Sequence, residues 1–164
     1  MTTNAIQDEY SDDVSHCYGC GRLNQDGLHI RSFWDGAEAK AVFTPLPHHT
    51  AIPGYVYGGL LASLVDCHAT GTAAAAARQA RAAADPSGPP PRFVTASLQV
   101  DYLRPTPLGV PLALSARPTE IRGRKIVVEV ELTAGGQLCV RGRVVTVEMP
   151  DELLGRAGAP SPGA

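Results

Sequence analysis

The 164-residue sequence is short of several things, and each shortage excludes a class of protein. No apolar stretch approaches the ~20 residues that a membrane-spanning helix requires. The opening MTTNAIQDEYSDD lacks the positive charge and apolar run of a secretory leader, so the expected setting is the cytoplasm. Basic residues number 14 against 16 acids, give a formal charge of −2, and nowhere form the clustered run that grips a phosphate backbone. A nucleic-acid or membrane partner is therefore not expected. Four cysteines, at positions 17, 20, 67 and 139, are too few and too unevenly spaced to staple a chain of this size, and reduced thiols follow. Aromatic residues are also scarce, with three Phe, one Trp and five Tyr. No glycine-rich nucleotide loop of the G-x-G-x-x-G or Walker type is present.

The length suits one domain with its own core. Residues 1–15 are polar and acidic and residues 150–164 are rich in Pro, Gly and Ala, so both ends are expected to be disordered tails around a single domain at 16–149. Within it, "GLHIRSFWDGAEAKAVFTP" holds two short alternating runs about Asp35-Gly36, a dipeptide suited to a tight hairpin. From Gly58 to about Ala83 the chain is dominated by Ala and Leu without proline, which predicts one long helix. "ADPSGPPPR" cannot continue it. Four β-type runs follow, "FVTASLQVDYLRP", "VPLALSARPTEIRG", "RKIVVEVELTAGG" and "QLCVRGRVVTVEM", and their short connections predict antiparallel neighbours. Two strands, a helix and four strands make an α+β protein. A helix with so little bulk can lie close against an antiparallel sheet of about six strands wrapped around it, which is the hotdog architecture. Such a layer leaves a sheet edge and a helix flank open, so a homodimer at least is expected.

Inside the predicted helix stands one acid, Asp66, flanked by Leu64, Val65 and Cys67. Asp is unfavourable in a helix interior, and a partly buried one needs a partner or a raised pKa, which points to a polar function. Its neighbours at helical spacing, among them Gly59, Ala62, Ser63 and Thr70, are small and leave room for a ligand or a second helix. Gly58 and Gly59 open the helix with backbone N–H groups that have no partner within it, at the positive end of the dipole. His68, two positions from Asp66, points elsewhere and reads as structural or exposed. Cys17 and Cys20 form one C-x-x-C beside His16, but no second pair follows, so no metal is expected there and a turn with a buried thiol is the reading.

Over residues 16–149 the sequence resembles the hotdog-fold acyl-CoA thioesterases of the phenylacetate-degradation (PaaI-like) type. The matching pieces are "HCYGCGRLNQDGLHI", "PGYVYGGLLASLVD", "VTASLQVDYLRPTPLG" and "EIRGRKIVVEVEL" in that order. The family pattern in the second piece is P-G-x-x-H-G-G with an acid nine residues after the His. Here that acid is Asp66, and Tyr57 stands in place of the His. An Asn or Gln that many members carry six residues before the His is Ala51 here, and His49 is the residue placed to fill its role.

The resemblance implies hydrolysis of an acyl-CoA or acyl-carrier thioester, with no cofactor beyond the coenzyme A of the substrate. It implies that the Gly58 N–H polarises the carbonyl, that Asp66 acts as base or nucleophile, and that Thr95 holds the attacking water. Tyr57, Gly59, His49 and Ser63 are then substrate-binding candidates. Arg122, Gly123, Arg124 and Lys125 correspond to a turn near the nucleotide end of coenzyme A. The eight residues from Gly58 to Asp66 span ~12 Å of helix rise, too far for one helix to place both against one carbonyl. Two antiparallel helices in a homodimer, alone or within a tetramer, can do so with one group from each subunit.

Two other readings stand beside this one. Hotdog dehydratases and hydratases carry a His before a Pro-Gly turn, echoed in "HHTAIPG", and an acid about five residues after that Gly, where this chain has Gly59. A non-catalytic hotdog module that binds acyl-CoA would be compatible with Tyr57, but gains nothing from a half-buried acid.

Overall fold

The computed structural model describes residues 4–86, 88 and 90–150. One long helix, α1 (Gly58–Arg81), lies across a six-stranded antiparallel sheet. The strands are β1 (Ser32–Trp34), β2 (Ala39–Phe43), β3 (Phe93–Tyr102), β4 (Leu112–Arg122), β5 (Lys125–Ala134) and β6 (Gln137–Glu148). No helix among the described residues is long and apolar enough to cross a membrane.

The predicted local elements form where their sequences indicated. Gly36 takes a positive φ of 103° between β1 and β2, and the Asp35 carboxylate accepts from the N–H groups of Ala37 and Glu38. Gly123, Gly135 and Gly136 sit at positive φ in the turns between β4, β5 and β6.

One neighbour relation differs from the expectation. The order across the sheet is β1-β2-β4-β5-β6-β3, so β3 pairs with the last strand rather than with β4. The connection at 103–111 carries Pro105 and Pro107, cannot close a tight hairpin, and instead crosses the end of the sheet, with Leu103 and Arg104 both donating to the Cys139 carbonyl. β3 is thereby left on an edge, and most of its residues are exposed.

The core lies between α1 and the inner faces of β4, β5 and β6, built from Leu64, Val65, Leu112, Val128, Leu132 and Val144 among others. Most of the helix is buried, and its close seat depends on glycine in the sheet. A Cβ at Gly142 would lie 2.3 Å from Val65 Cγ1. Small residues on both sides thus allow an apolar helix to approach the strands.

The N-terminal segment corrects a sequence expectation. Residues 4–15 do not form a disordered tail. They make two short 3₁₀ turns, Ile6–Glu9 and Asp12–Val14, and bury Ala5, Ile6, Gln7 and Tyr10. Three of the four acids that suggested solvation are paired, Glu9 with Arg78, Asp8 with Arg31 and Asp12 with Arg22. A polar chain runs inward from this segment. Gln7 donates to the Ser32 hydroxyl at 3.2 Å and accepts from the Ser32 N–H at 2.9 Å, while Ser32 Oγ lies 2.8 Å from His68 Nδ1. His68 Nε2 faces the Ala39 carbonyl at 3.2 Å, which fixes the proton on Nε2 and makes Ser32 the donor to Nδ1. His68 is fully buried, and burial pulls its pKa down to about 4, so the ring is a neutral core group. The other expected tail, 150–164, lies outside the described residues beyond Pro150.

Gly142→Ala should lower stability by about 1–3 kcal/mol through overpacking. Adding Val65→Ala should restore part of the loss, which chemical denaturation of the single and double variants will measure.

Candidate active site

Asp66 lies on the one helix stripe that the sheet does not fully cover, together with Gly59, Ala62, Ser63 and Thr70, all half-buried. The Thr95 hydroxyl of β3 donates to Asp66 Oδ1. Burial raises the Asp66 pKa above the ordinary carboxylate value; the Thr95 hydrogen bond opposes this, and the nearby Cys17 adds to it. The result is a half-sheltered carboxylate with one oxygen held and a pKa moved toward that of a useful base.

A backbone irregularity makes the Thr95 contact possible. Tyr102, at the far end of β3, also reaches α1, its hydroxyl donating to the Gly58 carbonyl at 2.8 Å. Residues 95 and 102 have opposite parity, so in a regular strand they would point to opposite faces. The β3–β6 register shifts between Thr95 and Ser97, leaving Ala96 as a bulge. That single extra residue turns both Thr95 and Tyr102 toward the helix.

At the helix start, Tyr57 is the N-cap residue and makes no side-chain cap. Leu60 and Leu61 donate to its carbonyl, leaving the Gly58 and Gly59 N–H groups ahead of the helical ladder. The exposed Tyr57 ring folds over Gly59, where a Cβ would come within 2.3 Å of Tyr57 Cε1. A side chain at position 59 would therefore have to displace the tyrosine ring. The Ser63 hydroxyl donates to the Gly59 carbonyl at 2.9 Å. Beside Gly58 opens a cleft of about 480 Å³ walled by Tyr55, Leu61, Tyr102 and Thr106. The buried Thr106 hydroxyl has no hydrogen-bond partner among the described residues.

The remaining predicted residues fall around these two points. His49 Nδ1 accepts from the Leu46 N–H at 3.0 Å and its carbonyl accepts from the Tyr57 N–H at 2.9 Å, so it organises the loop that delivers the chain to Gly58. Burial, with His48 alongside, lowers its pKa. Arg122, Gly123, Arg124 and Lys125 form the β4–β5 turn. Arg122 pairs with Glu120 at 3.1 Å, Lys125 lies 3.9 Å from the same acid, and Arg124 donates to the Glu148 carbonyl. Lys125 aligns with Val147 and Val94 across the sheet, which puts the turn at the Thr95 end of β3, about two strand spacings or ~10 Å away.

The Thioesterase superfamily profile matches residues 53–141, which include the helix start, Asp66 and Thr95. The chain belongs to the thioesterase superfamily. Within that superfamily, a thioesterase superfamily protein from Shewanella loihica PV-4 has a crystal structure with 48% sequence identity and a TM-score of 0.65, covering 86% of this chain and 100% of that one. The acyl-coenzyme A thioesterase THEM4 of Xenopus laevis is 32% identical over 108 residues, 63% of this chain, which spans 43% of that relative's length. The E. coli PaaI protein of the phenylacetic acid degradation operon shares the fold at a TM-score of 0.62, with 18% identity and coverage of 75% of this chain and 81% of that one. The profile and the Shewanella and Xenopus relatives bear out the thioesterase resemblance read from the sequence motifs, and the PaaI comparison bears out the fold.

Sequence reasoning missed three features of this superfamily member's site: Tyr102 against Gly58, the unpartnered Thr106, and the approach of Cys67 to the C-x-x-C loop. The first depends on a bulge and the others on non-local packing. Among their few local signals are the doubled β-branched and small residues of "VTAS", where alternation falters.

Removing the Thr95 hydroxyl as Thr95→Val should move the Asp66 pKa further upward, since that hydrogen bond favours the charged form. Carboxyl-carbon NMR titration of both proteins will show the shift.

Proposed function

We propose that this protein hydrolyses acyl-CoA thioesters, with each active site shared between two subunits. The observation that carries the reading is the half-buried Asp66 carboxylate held by Thr95 on an exposed edge strand, in a chain of the thioesterase superfamily. The Xenopus relative, an acyl-coenzyme A thioesterase, supports coenzyme A as the thiol.

In the proposed reaction the thioester carbonyl points at the Gly58 N–H, where the helix dipole and an unpaired donor favour the oxyanion. Asp66 takes a proton from a water whose oxygen attacks the carbonyl carbon. The C–S bond then breaks, and the proton passes to the departing thiolate. Thr95 keeps the carboxylate oriented, and the acyl chain occupies the cleft beside Tyr55, Leu61 and Tyr102. The basic β4–β5 turn, with three cations against one acid, suits the phosphates of coenzyme A.

A homodimer supplies the missing geometry. The edge strand β3 exposes Val94, Leu98 and Tyr102, an apolar unpaired edge of the kind that recruits a second strand. Asp66 lies at the level of Thr95 and Gly58 at the level of Tyr102. Antiparallel self-pairing centred between Leu98 and Gln99 sets Thr95 opposite the partner's Tyr102, and so brings Asp66 toward the partner's Gly58. This closes the ~12 Å gap that one helix leaves between the two groups.

Thiol release from a panel of acyl-CoAs is expected for the wild type, with Asp66→Ala reducing kcat by about 100-fold or more, the scale of a lost general base. No turnover on any thioester would favour a binding module. Leu98→Lys, at the centre of the proposed seam, should yield monomers by light scattering and lose activity in step; a fully active monomer would sink the shared site.

A further inference from the structure

A second cluster of reactive side chains includes Cys67, the residue after Asp66 in α1, and supplies no group to the proposed hydrolysis. The Sγ atoms of Cys17, Cys20 and Cys67 all lie within 4.8 Å of one another. Two come from the N-terminal C-x-x-C and the third from the helix residue next to Asp66. The Cys17–Cys67 separation is 3.7 Å, too long for a disulfide and close to the ~3.8 Å edge of a tetrahedron of sulfurs about a zinc ion at ~2.3 Å. All three cysteines are free.

The loop that carries Cys17 and Cys20 is shaped to hold them there. Gly21 N–H donates to the Cys17 carbonyl at 2.7 Å, Leu23 N–H to Ser15 at 3.0 Å, and Ile30 N–H to Gly19 at 3.0 Å. Two glycines permit the approach. A Cβ at Gly19 would stand 2.3 Å from Cys67 Sγ, and one at Gly21 would stand 2.4 Å from the Cys17 nitrogen. The loop is therefore closed tightly over the Cys67 thiol. Arg92 stacks on Tyr10 3.8 Å from the ring centroid and leaves its buried Nε without a hydrogen-bond partner among the described residues. Its charge acts on Cys20, a favourable neighbour for an anionic sulfur cluster. His16, although beside Cys17, contributes no atom to the cluster.

We propose that Cys17, Cys20 and Cys67 form a three-thiolate site for a thiophilic divalent cation of the zinc type. Binding releases the thiol protons to solvent, and the fourth position, on the side of the exposed Cys17, is filled by a water molecule. The ion ties the N-terminal loop to the middle of α1 and fixes the helix turn that bears Asp66. This inference does not rest on the thioesterase reading, and it concerns different atoms.

The test uses the full-length, reduced protein stripped of metal and titrated anaerobically with Co²⁺, followed by competition with Zn²⁺. Wild type should bind one ion per chain, with ultraviolet thiolate-to-cobalt charge transfer and the visible bands of tetrahedral coordination, both bleached by Zn²⁺. Cys17→Ser, on the solvent side where folding is least at risk, and Cys67→Ser should each weaken binding at least tenfold, while Cys139→Ser should leave it unchanged. Circular dichroism will verify that each variant is folded. Absence of charge transfer in the reduced wild type would overturn the proposal. So would Cys67→Ser binding as tightly as wild type, or Cys139→Ser weakening binding equally.

Discussion

The architecture depends on how closely a helix can approach a sheet. A helix surrounded by strands must present little bulk on most of its circumference, and the strands must yield space where it crosses them. α1 satisfies the first condition with its run of alanines and the sheet satisfies the second with Gly142 under Val65. From this close seat follows the placement of everything chemical. Asp66 lies within reach of a β3 hydroxyl, Gly58 lies under Tyr102, and Cys67 faces outward to a loop that closes over it.

The second organising feature is an irregularity, the bulge at Ala96. Sheet alternation would have devoted one of Thr95 and Tyr102 to the helix and the other to the opposite face. With one residue added, the same edge strand serves both the acid and the helix entry, and leaves an apolar edge between them. The positions that would share a catalytic site across two subunits and the edge on which those subunits would meet are thus properties of one strand.

How much of this could be read from the chain itself follows from whether each feature is local. The Ala-rich run, the Asp35-Gly36 turn and the glycine turns between β4, β5 and β6 are short-range matters, and the residues alone indicate them. Asp66 was conspicuous because a lone acid among Leu, Val and Cys is costly without a role. The pairing of β3 with β6 was not legible, because the alternation of a strand records which face is buried and not which neighbour it has. The N-terminal segment misled for a different reason. Its acids look solvated, yet Asp8, Glu9 and Asp12 meet Arg31, Arg78 and Arg22 from later elements, and Ile6 and Tyr10 bury themselves as isolated apolar residues that no window average detects. The cysteine cluster was half visible: the C-x-x-C could be seen, but its third thiol comes from another element.

The Gln7–Ser32–His68 chain makes the N-terminal segment part of the core. Three polar side chains are sealed in the core, linked from Gln7 through Ser32 to His68 and ending on the Ala39 carbonyl, and the outermost belongs to a segment that composition alone would assign to a dispensable tail. Without Gln7, the Ser32 N–H would lose its acceptor in a buried setting, and the network that keeps a neutral imidazole inside the protein would open at its outer end. The buried polar network therefore extends ahead of the superfamily match to Gln7, and the Ile6–Glu9 turn closes its outer end.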